Sequence, residues 1–204
     1  MYIPGNYLVN TSNLSAAEEI LGKAYGRMRI THAASDSEPW LRIWRTRVGP
    51  VTLDDAEINS TIRCEIEAPR GVVLCRVRAG RVEFDVDGQR TSYERGDVVA
   101  IASDGMVMSG VMANARCDLV SFDRTFVNQA AKDFGDGESA RPTQRFARPD
   151  SPPTGQLVAD VIDHIRHFIA NNAHVAGEPL IVGSAARYLM ATALTAFPTA
   201  AFAT

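Results

Sequence analysis

RAGRVEFDVDGQRTSYERGDVVAI, residues 78–101, decides the fold. Val82, Phe84 and Val86 alternate with Arg81, Glu83, Asp85 and Asp87, the period of two expected of a strand with one buried and one wet face. A helix would return its apolar residues every three or four positions instead. Gly80, Gly88 and Gly96 stand at equal intervals along the stretch. Glycine accepts the positive φ of tight hairpin turns, so the spacing predicts successive short strands joined by such turns.

Working outward, the same period runs from Arg27 to about Phe122, with Ile62, Cys64 and Ile66 alternating with Arg63, Glu65 and Glu67. Turn formers break it every eight to twelve residues, so the reading is an antiparallel β-barrel over 27–135, closed by a short helix from Arg124 to Phe134 that ends at Gly135. Residues 1–26 precede it. Pro4, Gly5 and Asn6 among Tyr2, Ile3 and Tyr7 suggest an irregular arm, and Ser15 with Glu18 forms a capping-box pattern. Ala17, Ile20, Leu21, Ala24 and Tyr25 then follow helical spacing up to Gly26.

Beyond the barrel, residues 136–153 are rich in Pro, Ser and Asp and predict a surface linker, and 154–204 predict a pair of helices. Leu157, Val158, Val161, Ile162, Ile165, Phe168 and Ile169 form a stripe on the first. On the second, Ile181, Val182, Ala185, Ala186, Leu189, Met190, Ala193, Leu194 and Phe197 cover about half the circumference. That face is wider than one barrel contact requires. The surplus predicts a homodimer interface, with Val161, Ile165, Phe168, Leu189 and Met190 as its expected residues, the alternative being that both faces are internal to one chain.

Composition excludes several classes of function. The chain has 204 residues, 46% hydrophobic and 22% charged, the balance of an ordinary globular body. No apolar run is long enough to cross a bilayer, and the first residues lack the basic head and apolar middle of a signal peptide, so a cytoplasmic location is expected. A net charge of −3 with scattered cations argues against extended nucleic-acid contact by this polypeptide. Cys64, Cys75 and Cys117 contain no C-x-x-C pair and read as free, buried thiols.

Chemistry is sparse. Metal sites in small barrels of this kind use closely spaced histidines, and His32, His164, His167 and His174 include no H-x-H pair and no member inside the main strands. A metal-free barrel with no cofactor is therefore expected. Asp160, Asp163 and His167 fall opposite the apolar stripe, with His164 at its edge, and read as a solvated face. No nucleophile-elbow, Walker or dinucleotide-binding motif occurs, so no catalytic residues are assigned and the chain is not expected to be an enzyme. What remains is a barrel interior able to hold one small organic molecule. Trp40, Arg42 and Trp44 share one strand face and would offer stacking plus an anchor for an anionic or hydroxylated group. Met106, Met108 and Met112 share another beside Gly110, and these with Phe84 complete the expected ligand-binding wall. Two alternatives stay open: a metal-independent isomerase or epimerase using Glu65, Arg76 or Tyr93 for acid-base work, and a dimerisation module whose barrel is filled.

With these elements in place, the sequence resembles the N-terminal, cupin-like ligand-binding domain of AraC/XylS-family transcription regulators. The carriers are Thr11-Ser12-Asn13 with Ala16, Glu18 and Glu19, the runs RAGRVEFDVDG and RGDVVAI, and the terminal EPLIVGSAARYLMATALTAFPTAAF from Glu178 to Phe202. The resemblance implies a mainly β fold with α, a cupin-like antiparallel barrel of double-stranded β-helix type plus a C-terminal helical pair. It also implies an effector-sensing, dimerising role. Regulators of this kind read DNA through two helix-turn-helix units after such a domain, so DNA contact is expected only through a C-terminal part that these residues do not include. In some members an N-terminal arm closes over the effector, a role Tyr2 to Tyr7 would fill.

Overall fold

The computed structural model describes residues 7–33, 38–67, 72–86, 88–102, 107–134 and 146–197. Its order begins with β1 (Tyr7–Thr11), α1 (Leu14–Tyr25), β2 (Arg27–His32), β3 (Leu41–Val48), β4 (Val51–Ile58) and β5 (Thr61–Glu67). The long strand β6 (Val72–Val86), then β7 (Gln89–Glu94), β8 (Val98–Ala102) and a second long strand, β9 (Met108–Phe122), complete the barrel. After them come α2 (Arg124–Phe134), β10 (Phe146–Ala147), α3 (Pro152–His164) with a π-helical extension over Ile165–Ala170, α4 (Ala173–Ala176) and α5 (Pro179–Ala196).

The two long strands pair with each other along their length and serve as the common wall of two half-sheets. One half runs β1-β3-β4-β9-β6-β8-β10, and the other joins β2 to β5, β5 to the first part of β9, and β7 to the second part of β6. Every pairing is antiparallel. The register shifts where Ala79 pairs with Arg116 and Arg81 with Ala113. Gly80 sits in that bulge at φ +69, and Asn114 opposite it is left-handed at φ 46. Such a bulge sharpens twist and bend, which lets one long strand serve both halves of a closed body. The architecture is the expected antiparallel barrel with helices added, but Gly80 makes a bulge inside β6 where a hairpin turn was predicted. Gly88 and Gly96 do lie in turns, after β6 and after β7.

Three other local expectations change. The segment Tyr7–Thr11 is a strand paired with β3, with an irregularity between Tyr7 and Val9, because Val9 is buried and needs a partner for its backbone. Helix α1 is capped by Asn13, whose side chain accepts from Ala16 N, and Glu18 instead accepts from Ile30 N at 2.6 Å. The stretch expected as a linker contributes β10, where Phe146 and Ala147 pair with Ile101 and Ala100 and Ala147 is buried. Residues 1–6 and 135–145, including the rest of the predicted arm and Gly135, lie outside the described residues.

Two apolar volumes result. Inside the barrel, Val73, Cys75 and Val77 of β6 meet Val82, Phe84, Tyr93, Val99 and Met108, while Val9, Leu21, Ile30, Leu41, Ile43, Ile58 and Ile62 fill the other end. Outside it, Val48, Val51, Leu53, Leu74, Val120 and Phe122 receive α3 and α5 through Val158, Val161, Ile162, Ile165, Leu189, Met190 and Phe197. This second core corrects the predicted dimer residues. Val161, Ile165, Leu189 and Met190 are between 0% and 3% exposed within one chain, and of the five only Phe168 stands out, 67% exposed. The broad face of α5 is consumed by β-strands and α3 together, a contact that periodicity alone does not reveal.

A Cβ at Gly80 would lie 2.1 Å from Asn114 O and 2.5 Å from Ala113 O. Both obstacles are backbone, and the φ is unfavourable for any L side chain, so Gly80→Ala is expected to cost about 3 kcal/mol or more in urea unfolding. Gly88→Ala, with open space at its Cβ, is expected to cost about 1 kcal/mol.

Candidate functional site

Adjacent residues of a strand face opposite ways, so one sheet builds two environments. On the inner side of the barrel, Leu41 and Ile43 of β3, Ala56 and Ile58 of β4, and Leu119 of β9 face Ile62, Cys64 and Ile66 of β5, Phe84, Met108 and Met112 around an apolar cavity of about 90 Å³. Leu21 and Tyr25 of α1 and Met28 of β2 close one side. Gly110 stays small because a Cβ there would crowd Phe84 and Cys64 at 3.2 and 3.3 Å.

Of the expected ligand wall, Phe84 and Met108 line this cavity, joined by Met112. Trp40, Arg42 and Trp44 do not. Leu41 and Ile43 take the inward positions, so parity turns the trio to the outer surface of β3, where the Arg42 guanidinium lies 3.8 Å from the Trp40 ring centroid and 5.0 Å from that of Trp44. The two rings do flank the Arg42 cation, but on the outer face of the sheet instead of in the barrel interior. Met106 lies outside the described residues.

Behind the Tyr25 ring sits the polar group that sequence reading missed. Asp54 is 2% exposed. Its Oδ1 and Oδ2 accept from Arg45 Nε and Nη2 at 2.8 and 2.6 Å, and the Tyr25 hydroxyl donates to Oδ2. Burial, then the Asp54 charge, pushes the Tyr25 phenol well above its ordinary range, and the hydrogen bond to Asp54 holds Arg45 firmly protonated. The available signal was parity: Arg45 and Asp54 continue the inward rows of Leu41, Ile43 and of Ala56, Ile58, and they are register partners.

The outer face is ordered in rows by register. Thr46, Leu53, Val120, Leu74 and Ala100 form an apolar row under the helices. Next come Trp44, Asp55, Asp118 and Arg76, and beyond them Arg42, Glu57 and Arg116. Asp55 and Asp118 are directly opposite one another and 5% and 3% exposed, an arrangement that repels unless cations intervene. Arg166, in the π-helical turn, supplies one: its Nη1 lies 2.7 Å from Asp118 Oδ1 and 3.6 Å from Asp55 Oδ2. Arg78 bridges the same two aspartates, Arg116 reaches Asp55 at 3.3 Å, and Arg76 holds Asp163 of α3 at 2.7 Å. Burial raises the Asp118 carboxyl, against the pull of Arg78 and Arg166.

Other candidate chemistry disperses. Glu65 is exposed on β5, Arg76 belongs to the ionic layer, and Tyr93 is 1% exposed against Phe84 with Arg148 over its ring. These three do not converge on one site. All three cysteines are free and buried; burial pushes the Cys64 thiol up to about 11, and the Cys75 thiol rises through its hydrogen bond to Cys117 and through burial. Among the described residues no group of three His, Cys, Asp or Glu is placed to hold a metal ion, and no helix is long and apolar enough to cross a membrane.

A second concave surface lies on the helices. Ile165, Ile169, Leu180, Ile181, Ala185 and Tyr188, with His164 and Ser184, line an open groove of about 490 Å³. Leu180 is 84%, Phe168 67% and Tyr188 53% exposed.

The fold of this chain has a counterpart among solved structures. The chain shares the fold of the AraC-like transcriptional activator CuxR. The two superpose with a TM-score of 0.60 at 17% identity, over 84% of this chain and 63% of that one. The chain thus spans less than two thirds of that activator's length. Shorter matches include a Cupin 2 conserved barrel domain protein from Salinispora arenicola (TM-score 0.36, 20% identity, 46% of this chain and 84% of that one). Another is KdgF from Halomonas sp. (TM-score 0.33, 18% identity, 44% of this chain and 86% of that one). No protein-family model matches the sequence, and no curated protein does.

The two outer rows beside the helices predict different costs. Arg166→Met leaves two facing aspartates short of a buried cation and is expected to lower stability by about 3 kcal/mol. Arg42→Met, losing a 3.9 Å pair with Glu57 and stacking at a half-open surface, is expected to lower it by about 1 kcal/mol or less. Paired urea titrations at pH 7 measure both.

Proposed function

We propose that this chain is the effector-sensing and dimerising domain of an AraC-type transcription regulator that works in the cytoplasm. The observation that carries the reading is the pairing, in one body, of an apolar cavity in the barrel with an exposed apolar groove on helices packed against the cavity's own wall. The fold shared with an AraC-like activator supports it. In this reading a small molecule occupies the barrel, a second copy of the chain covers Phe168, Leu180, Ile181 and Tyr188, and DNA is read by a part of the regulator outside these residues. Ligand binding acts by favouring one arrangement of the helices over another.

Phe168 is kept from the interface first expected and Leu180 takes the place of its buried members, because a partner can reach only what one chain leaves open. Large exposed side chains rimming a groove are costly to leave in water and are the usual mark of an association surface. Leu180→Glu places a charge in that surface without touching the monomer core. Sedimentation equilibrium is expected to show a dimer for the unmodified protein and at least a tenfold weaker one for Leu180→Glu, about 1.4 kcal/mol of association free energy. A monomer at all concentrations, or an unchanged constant in the variant, overturns the interface.

The cavity's size favours a second reading in one respect. About 90 Å³ is well below the roughly 300 Å³ at which ordinary ligand pockets begin, as expected of a dimerisation module with a nearly filled barrel. Met28, Met108 and Met112 are flexible enough to widen the space for a compact guest. A small aromatic compound that raises the thermal midpoint in a concentration-dependent way supports sensing.

A further inference from the structure

The cavity wall contains little that could bond to a polar guest. Among the described residues that line it, only Tyr25 and Cys64 carry a side-chain O–H or S–H. Both are already used. The Cys64 thiol faces Gly110 O at 3.7 Å, and the Tyr25 hydroxyl donates to Asp54. Asp54 in turn has both oxygens engaged by the Arg45 fork. Asp54 is buried and is not among the described residues that line the cavity, whereas Tyr25, which donates to it, is.

A buried carboxylate bonded to a half-buried guanidinium and phenol beside an otherwise apolar chamber is expensive to desolvate, and hydrocarbon side chains would close that side at lower cost. Their arrangement has a chemical effect that a hydrocarbon plug lacks. It places a strong acceptor in direct contact with a wall residue that comes from a different element, the last residue of α1. With Tyr25 in place, a hydroxyl, ammonium or carboxylate entering the cavity gives up water and finds no partner. With Tyr25 displaced, Asp54 becomes an acceptor beside the cavity.

We infer that the cavity selects uncharged molecules that have no hydrogen-bonding group, of about the size of a single aromatic ring, and that Tyr25 sets this selectivity by shielding Asp54. The inference rests on the barrel being a ligand site. It assigns the effector to compact hydrocarbons or similarly apolar compounds, in place of the anionic or hydroxylated class that the outward Trp40-Arg42-Trp44 trio first suggested.

Benzene and phenol are matched probes, alike in ring and different in one hydroxyl. Titration followed by ligand-observed NMR and by thermal midpoint is expected to show benzene binding the unmodified protein at least thirtyfold more tightly than phenol. Tyr25→Ala removes the shield and leaves a ring-sized space beside the Asp54 acceptor, so the order is expected to invert, phenol binding at least tenfold more tightly than benzene. If Tyr25→Ala is unfolded alone, refolding by phenol and not by benzene supports the assignment, while refolding by both or by neither counts against it. Comparable affinities for the two probes in the unmodified protein overturn the selectivity. Binding of neither probe there overturns the barrel as a ligand site, and this inference with it. Benzene binding with an unchanged preference in the variant overturns only the role of Tyr25.

Discussion

The pairing of β6 with β9 across the bulge at Gly80 and Asn114 is the constraint on which the rest of the structure depends. A strand alternates between two sides, so one register assigns β3, β4, the first part of β6 and the second part of β9 to the barrel interior or to the outer face that seats the helices. The alternation shifts at the bulge, with Val77 and Val82 both inside. Asp54 and Asp55 show how sharp that assignment is. They are neighbours in sequence, yet one sits behind the cavity with Tyr25 and Arg45 and the other under α3 with Arg78 and Arg166. A slip of one position would place hydrophobic side chains in the ionic layer and aspartates in the cavity.

The same alternation explains how cavity and helices are mechanically adjacent although no residue belongs to both. Leu119 lines the cavity, and Asp118 beside it holds Arg166. The barrel wall is one backbone thick there. Leu119 and Asp118 are neighbours on opposite sides of that wall, and Arg166 lies in the π-helical turn that leads to Phe168 and the open groove. A π-turn is a strained element that accepts rearrangement more readily than a regular helix. The physical path from chamber to groove is therefore short.

Much of this was legible in the sequence. Period-two alternation gave the barrel, glycine spacing gave two of its turns, and stripes at helical spacing gave α3 and α5 nearly to their ends. Phe84, Met108 and Met112 were found as cavity residues because they share the face of their strands with other apolar side chains. The errors have a common origin. Trp40, Arg42 and Trp44 were turned inward because large aromatics suggest burial, whereas the less conspicuous Leu41 and Ile43 hold the inner positions. Leu189 and Met190 were placed at an interface because the width of a helix face does not say how many neighbours it has within its own chain. Asp54 was passed over because a carboxylate inside a barrel makes sense only once Arg45 and Tyr25, distant in sequence, are seen beside it.

The ionic layer bears on how this chain can change over time. Asp55 and Asp118 share Arg78 and Arg166, and Arg76 ties Asp118 to Asp163. Removing any one member strands a buried charge, whereas replacing the whole set by well-packed hydrocarbon would cost little. Single steps are thus penalised and the joint step is not. Descendants of this sequence would keep the set intact or lose it together, so these positions should drift as one unit, while the buried apolar row beside them can change one residue at a time within the volume its packing allows.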